Sequence, residues 1–190
     1  MNVLVTGGAG YIGSHTCLEL LNAGHTVTVF DNLSNSSEES LRRVADLTQK
    51  EIIFVKGDVL DIDALTRLFS QANFESVIHF AALKAVGESV AQPLNYYHNN
   101  ITGTVNLCHA MQTAGVKNLV FSSSATVYGL PKSLPLTEES PTLVHEVTNP
   151  YGRTKLMLEF VLQDWQAANP ECNVASVSYT HLTLPTILLV

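Results

Sequence analysis

Tyr151 and Lys155 stand four apart in Tyr151-Gly152-Arg153-Thr154-Lys155, at the start of a helical stretch, and so share one helix face. A phenol with a pKa near 10 is a poor base at neutral pH. A cation about 4 Å away is worth around 4 kcal/mol at an effective dielectric of about 20, enough to lower that pKa by a few units. Lys155 would supply the cation, and Tyr151 would then abstract a proton. Taken alone, Tyr-x-x-x-Lys equally describes a solvated helix face. The pair acquires meaning only from its surroundings.

Those surroundings begin with Thr6-Gly7-Gly8-Ala9-Gly10-Tyr11-Ile12-Gly13, which lies between a strand and a helix. Glycines there permit a tight turn, close approach of the backbone to a pyrophosphate and close helix-on-sheet packing. The helix N-terminus adds free N–H groups and the positive end of its dipole. Two registers fit, Gly8-x-Gly10-x-x-Gly13 and Gly7-x-x-Gly10-x-x-Gly13. Asp31 ends the next strand, 18 residues past Gly13. It can accept both hydroxyls of an adenosine ribose, and its charge repels a 2′-phosphate, which points to NAD rather than NADP. A purely structural turn with an N-cap aspartate is the competing reading. Ser122-Ser123-Ser124 closes the fifth strand, where ligands of open α/β sheets bind, so a hydroxyl there could hold a substrate oxygen beside Tyr151. The plainer alternative is serines that satisfy their own loop backbone.

The elements that must position these groups alternate short apolar runs with amphipathic helical stretches. This predicts an α/β fold, a doubly wound parallel sheet of the Rossmann-like, NAD-binding kind. Strands are expected at residues 2–6, 26–30, 52–56, 76–80, 118–122 and 173–177. Helices are expected over 12–23, 93–113 and 151–168, with Gly24 and Gly115 as stop signals. Ser36 and Glu39 form a capping-box pattern for a helix running to residue 48, and Asp61 is a plausible N-cap for the next. Residues 81–89 read as a polar loop and 129–149 as a long, proline-bearing one, a length that usually signals function.

Composition narrows the function classes. The chain has 190 residues, a formal net charge of -7 and 14% charged residues, without a Lys/Arg cluster. Phosphate-backbone binding needs concentrated positive charge, so no nucleic-acid partner is expected. Seven histidines show no paired ligand spacing, and no metal is expected. Cys17, Cys108 and Cys172 are scattered, which suits a reducing cytoplasm better than a disulfide framework. The absence of a basic-then-apolar leader and of a roughly 20-residue apolar stretch leads us to expect neither a signal peptide nor a membrane association.

Together these residues resemble the extended short-chain dehydrogenase/reductase superfamily and, within it, the UDP-glucose 4-epimerase (UDP-galactose 4-epimerase) family. The resemblance is carried by residues 3–16 and by His79-Phe80-Ala81-Ala82-Leu83-Lys84-Ala85-Val86-Gly87-Glu88-Ser89. A third stretch, Phe121-Ser122-Ser123-Ser124-Ala125-Thr126-Val127-Tyr128-Gly129, carries it too, and the match covers about residues 1–177. It implies Tyr151 as the base, Lys155 as the residue that tunes it and holds the nicotinamide ribose, and Ser124 as a bridge to the sugar hydroxyl. By the same resemblance Gly7, Gly10, Tyr11, Ile12, Gly13, Asp31 and Asn32 lie near the phosphates and adenosine ribose. Asp58 and Val59 lie beside the adenine, and Phe80, Ala81, Lys84, Asn99 and Ser122 along the cofactor. The implied reaction is a redox-neutral inversion of a UDP-hexose at C4 through bound NAD, by a homodimer packed through the helices at 93–113 and 151–168. Related dehydratases carry an Asp-Glu pair where this chain has Ala125-Thr126, which argues against elimination of water.

After Val177 the family continues with an Arg-Tyr-Phe-Asn segment and a further lobe that grips the uridine diphosphate. Here Ser178-Tyr179-Thr180-His181 follows, and only Tyr179 agrees. The expectation is therefore an NAD-binding domain at 1–177, truncated and without its substrate lobe, and a non-native or disordered tail at 178–190. Such a chain would bind NAD, turn over UDP-galactose poorly and expose an apolar surface. Two other readings stay open: a related epimerase or reductase acting on UDP-N-acetylhexosamines or UDP-pentoses, and a non-catalytic NAD-binding module.

Overall fold

Alternation within β1, Asn2–Thr6, shows how the layers arise. Val3 and Val5 point to one face of the sheet and Leu4 to the other, and all three are buried. A strand apolar on both sides needs helices on both sides. In the computed structural model, which describes residues 1–130 and 135–178, the strands form one parallel sheet in the order β3-β2-β1-β4-β5-β6. The others are β2 (Thr26–Asp31), β3 (Ile53–Lys56), β4 (Ser76–His79), β5 (Asn118–Ser122) and β6 (Asn173–Val177). This is the Rossmann strand order, and it reverses direction between β1 and β4.

On one face, α1 (Tyr11–Asn22) and α2 (Glu38–Thr48) bury Cys17, Leu21, Leu41 and Val44 against Val3, Val5, Val27 and Val29. On the other, α3 (Ile62–Gln71), α6 (Gly103–Ala114) and α7 (Pro150–Ala168) cover Leu4, Val77, Leu119 and Phe121 with Leu65, Leu107, Met111 and Leu158. Gly115 closes α6 in the left-handed conformation (φ +73°).

Four expectations need correction. The helix expected over 93–113 is present but not uniform: α5 (Pro93–Tyr97) runs through a π-helical turn (His98–Thr102) into α6, with helical backbone at both junctions. The sequence His-Asn-Asn-Ile-Thr has low helix propensity throughout, so nothing local resists widening the turn. The polar loop after β4 contains a short helix, α4 (Val86–Ala91). The cap of α2 is Ser37, whose hydroxyl oxygen accepts from Glu39 N, because Ser36 is diverted to Asp31. Helix α7 begins at Pro150, with Asn149 capping Gly152 N at 2.8 Å and proline in its favoured first position. Asp61 does cap α3, accepting from Ala64 N. Most of the tail expected at 178–190 lies outside the described residues.

Candidate functional site

The carboxyl ends of β1, β2, β3, β4 and β5 open into one cleft of about 280 Å³ at the point where strand order reverses. Gly7, Asp31, Gly57, Phe80 and Ser122 mark the five strand ends around it. The cleft also gathers Gly10, Tyr11, Ile12, Gly13, Asn32, Val59, Ala81, Lys84, Asn99, Ser124, Tyr151 and Lys155. Of the residues given a catalytic or cofactor role by the resemblance, Asp58 alone is not part of its wall. Asp58 accepts from Asn32 Nδ2 at 2.9 Å and from Leu60 N at 2.9 Å, and so holds a wall residue from behind.

The glycine turn uses the register Gly7-x-x-Gly10-x-x-Gly13. Gly7 has φ +71°, and a Cβ there would come within 2.6 Å of Ala81 N. A Cβ on Gly13 would run into the Gly7 carbonyl, so the helix could not pack this closely on the turn. Gly8 instead faces Val5 and Val29, away from the cleft. No side chain caps the N-terminus of α1, so its first-turn N–H groups are left for solvent or a ligand. Open glycines, uncapped amides and a positive dipole end are the chemistry a pyrophosphate needs, and these residues fit a dinucleotide.

Asp31 is buried, and its carboxylate is already well occupied. Ala9 N donates to Oδ2 at 3.1 Å, while Leu33 N and Ser36 Oγ donate to Oδ1 at 2.9 and 2.8 Å. A carboxylate offers about four acceptor positions, so one ribose hydroxyl fits directly. A second would have to displace the Ser36 hydroxyl.

Lys155, one helical turn after Tyr151 on α7, is almost fully buried. Its Nζ donates to the Ser122 carbonyl at 2.7 Å and sits 4.7 Å from the centre of the Phe121 ring. Burial lowers its pKa from 10.5 to about 7, while the Glu159 carboxylate one helical turn on pulls it back up. The Ser123 hydroxyl donates to Glu159, tying the end of β5 to α7. Burial raises the Glu159 pKa, which the Ser123 hydrogen bond and the Lys155 charge oppose. Ser123, in the loop just past β5, therefore spends its hydroxyl on α7 rather than on its own loop backbone.

Ser124 Oγ receives two donors, Thr126 N at 3.3 Å and Thr126 Oγ1 at 3.0 Å. Both lone pairs being engaged, its own proton remains to be donated into the cleft. His79 lies between Thr6 Oγ1 (2.6 Å) and Thr104 Oγ1 (2.9 Å). Thr104 gives its proton to the Asn100 carbonyl at 2.8 Å, so it accepts from His79 Nε2–H, and Nδ1 accepts from Thr6. Burial first, and the Lys155 charge second, lower the His79 pKa to about 3. The imidazole is a neutral strut.

Comparison with known proteins decides the family. The model of the NAD dependent epimerase/dehydratase family matches residues 3–186. The chain belongs to the NAD dependent epimerase/dehydratase family. Among curated epimerases of this family, the UDP-glucose 4-epimerase of Bacillus subtilis (strain 168) is 59% identical over 179 residues, covering 94% of this chain and 52% of that protein. The UDP-glucose 4-epimerase of Bifidobacterium longum, solved in complex with NAD+ and UDP, superposes with a TM-score of 0.90. It is 50% identical, across 93% of this chain and 52% of that one. The UDP-Glc/GlcNAc 4-epimerase of Campylobacter jejuni superposes with a TM-score of 0.87 at 40% identity, over the same shares. The chain thus spans about half the length of the epimerases it matches. What sequence reasoning missed in this family member are the supports, Asn100, Thr126, Thr154 and Glu159, together with wall residues such as Ser34 and Asn35.

Proposed function

We propose that residues 1–177 form an NAD-binding unit carrying the proton-transfer residues of a UDP-glucose 4-epimerase, which interconverts UDP-galactose and UDP-glucose. The observation that carries this reading is the placement of Tyr151, Lys155 and Ser124 on one cleft with the Gly7–Gly10–Gly13 turn. Gly7, Gly10, Tyr11, Ile12 and Gly13 would receive the pyrophosphate, and Asp31 with Asn32 the adenosine ribose. Asp58 would act through Asn32 and Val59 beside the adenine, while Phe80, Ala81, Lys84, Asn99 and Ser122 would flank the remainder. When bound, NAD supplies a hydride acceptor that restores the hydride at the end of the cycle. Tyr151 takes the proton of the C4 hydroxyl and later returns it. Ser124 donates its free proton to the same oxygen, and protonated Lys155 stabilises the phenolate beside it. Ala125 and Thr126 offer no carboxylate for elimination of water.

Exposed apolar side chains on α5 and α7, Leu94 and Phe160 among them, support a homodimer packed through the helices at 93–113 and 151–168. Among the described residues no helix is long and apolar enough to cross a membrane. The scattered cysteines support a cytoplasmic setting.

The test is to purify the 190-residue chain, quantify NAD released on denaturation, and incubate it with UDP-galactose without added NAD. Retained NAD with conversion far below that of a full-length epimerase is the expected result, since the chain covers about half of such proteins. A chain that neither retains nor binds NAD on titration overturns the proposal. The Campylobacter jejuni relative acts on a GlcNAc substrate as well by its name. UDP-N-acetylglucosamine in the same assay therefore separates a broader substrate range from the UDP-hexose reading.

A further inference from the structure

Lys155 sits where an ammonium finds little to balance it. One Nζ proton goes to the Ser122 carbonyl at 2.7 Å, and the Phe121 ring lies 4.7 Å away. Among the described residues no carboxylate comes within ion-pairing distance of it. A buried ammonium without a counter-charge gives up its proton rather than stay charged. One carboxylate does share its helix face: Glu159, half-buried, four residues further along α7. That carboxylate is tethered. The Ser123 hydroxyl donates to its Oε1, and Ser123, itself buried, is fixed through its own N–H to the Val177 carbonyl at 2.9 Å. Two consecutive residues at the end of β5 therefore take the two side chains, Ser122 through its carbonyl and Ser123 through its hydroxyl. The other ionisable groups around the pair do not supply the charge. His79, facing Lys155 from β4, is neutral. Glu88 on α4 is engaged by the Tyr96 hydroxyl of α5 at 2.6 Å. Burial keeps the Tyr128 phenol protonated, with the charges of Glu159 and Glu138 acting the same way. Strand β6 carries no ionisable side chain.

We propose that Glu159 is a positioning residue: its carboxylate, held by the Ser123 hydroxyl, is the counter-charge that keeps Lys155 an ammonium beside Tyr151. This rests on the reading of Tyr151 and Lys155 as the proton-transfer pair. A neutral lysine can still form hydrogen bonds, but it cannot stabilise a phenolate by charge. The separation of one helical turn serves the purpose. A direct salt bridge would turn Nζ toward the carboxylate, whereas here Nζ stays on the Ser122 carbonyl at the wall of the cleft. The two groups sustain each other. Burial takes the Lys155 pKa down to about 7, and the Glu159 charge opposes that fall. Burial likewise raises the Glu159 pKa, against the Ser123 hydrogen bond and the Lys155 charge.

Glu159→Gln separates charge from mere structure. It keeps the shape and an oxygen that accepts from Ser123, so a purely structural tie between β5 and α7 survives it, while a counter-charge does not. The full chain is isotope-labelled at lysine Cε, the Lys155 signal is assigned by its loss in Lys155→Met, and its titration is followed by NMR. The wild type should titrate near 7, and Glu159→Gln lower by about one pH unit or more. At neutral pH the protonated fraction of Lys155 then falls about five-fold. Ser123→Ala releases the carboxylate and should move the midpoint the same way by a smaller amount. An unchanged Lys155 midpoint in Glu159→Gln overturns the proposal. Should that variant fail to fold, Ser123→Ala decides, and a wild-type midpoint there refutes it. NAD titration of the same proteins judges the functional reading separately. A wild type that binds no NAD sinks that reading, and the Lys155 midpoint still judges the counter-charge.

Discussion

Replacing Lys155 by Met should change how stability depends on pH, by an amount the structure fixes. Burial lowers the ammonium from 10.5 to about 7. At 1.36 kcal/mol per pH unit, the charged form is penalised by about 5 kcal/mol in the native state. The unfolded chain keeps this proton up to roughly 10.4, whereas the native protein releases it near 7. Between those values the unfolded state holds the extra proton, so stability rises with pH by up to ~1.4 kcal/mol per unit. Below pH 7 the penalty is fully present; above 10.5 it is gone. A methionine carries no such charge, but it forfeits the bond to the Ser122 carbonyl, worth about 1.5–3 kcal/mol, and the contact with Phe121, worth about 1 kcal/mol. These losses, together about 2.5–4 kcal/mol, offset only part of the penalty at pH 7 and do not change with pH, which makes the slope the informative quantity. From pH 7 to 9 the wild type should gain about 2 kcal/mol relative to Lys155→Met. Urea titrations of both proteins at pH 7, 8 and 9 measure this. The buried thiols of Cys17 and Cys108, pushed up to about 12, act in both proteins and cancel in the comparison. Parallel curves would show that the ammonium is not desolvated as the structure implies, and the argument for a tuned lysine would fail with it.

His79, held near 3 by burial, makes the native state refuse a proton that the unfolded chain takes below about 6.5. Stability should therefore fall as pH drops from 6.5 toward 3, and His79→Gln should flatten that slope by up to ~1.4 kcal/mol per unit in acid titrations. Gly7→Ala combines a left-handed φ with a backbone contact and should cost about 3 kcal/mol, lowering the thermal midpoint by roughly 6–12 °C. Asn149→Ala removes the cap of α7 and should cost about 1 kcal/mol, a fall of roughly 2–4 °C in calorimetry.

How much could be read from sequence follows the range of each interaction. Strands β1, β5 and β6 carry their own boundary signals in alternation and turn residues, and the structure places them where those signals say. The glycine turn and the Tyr151–Lys155 pair were legible because each is local. The widening at His98–Thr102 was not, because Tyr96, Asn100, Thr104 and Leu107 keep helix-like spacing straight through that turn. Ser36 and Ser37 are equivalent as caps until Asp31 claims one of them. The supports of the site are the least legible: Thr6 meets His79 from 73 residues away, and Ser123 meets Glu159 from 36.

The strand order carries a consequence for synthesis. β1 leaves the ribosome first and ends in the interior of the sheet. β2 and β3 then extend one side of it, and β4, β5 and β6 the other, in the order they are made. Each arriving strand meets an edge that already exists, and none has to be inserted between two strands already joined. A nascent chain can therefore grow this sheet outward as it emerges, each segment templated by its predecessors, with little need to undo earlier contacts.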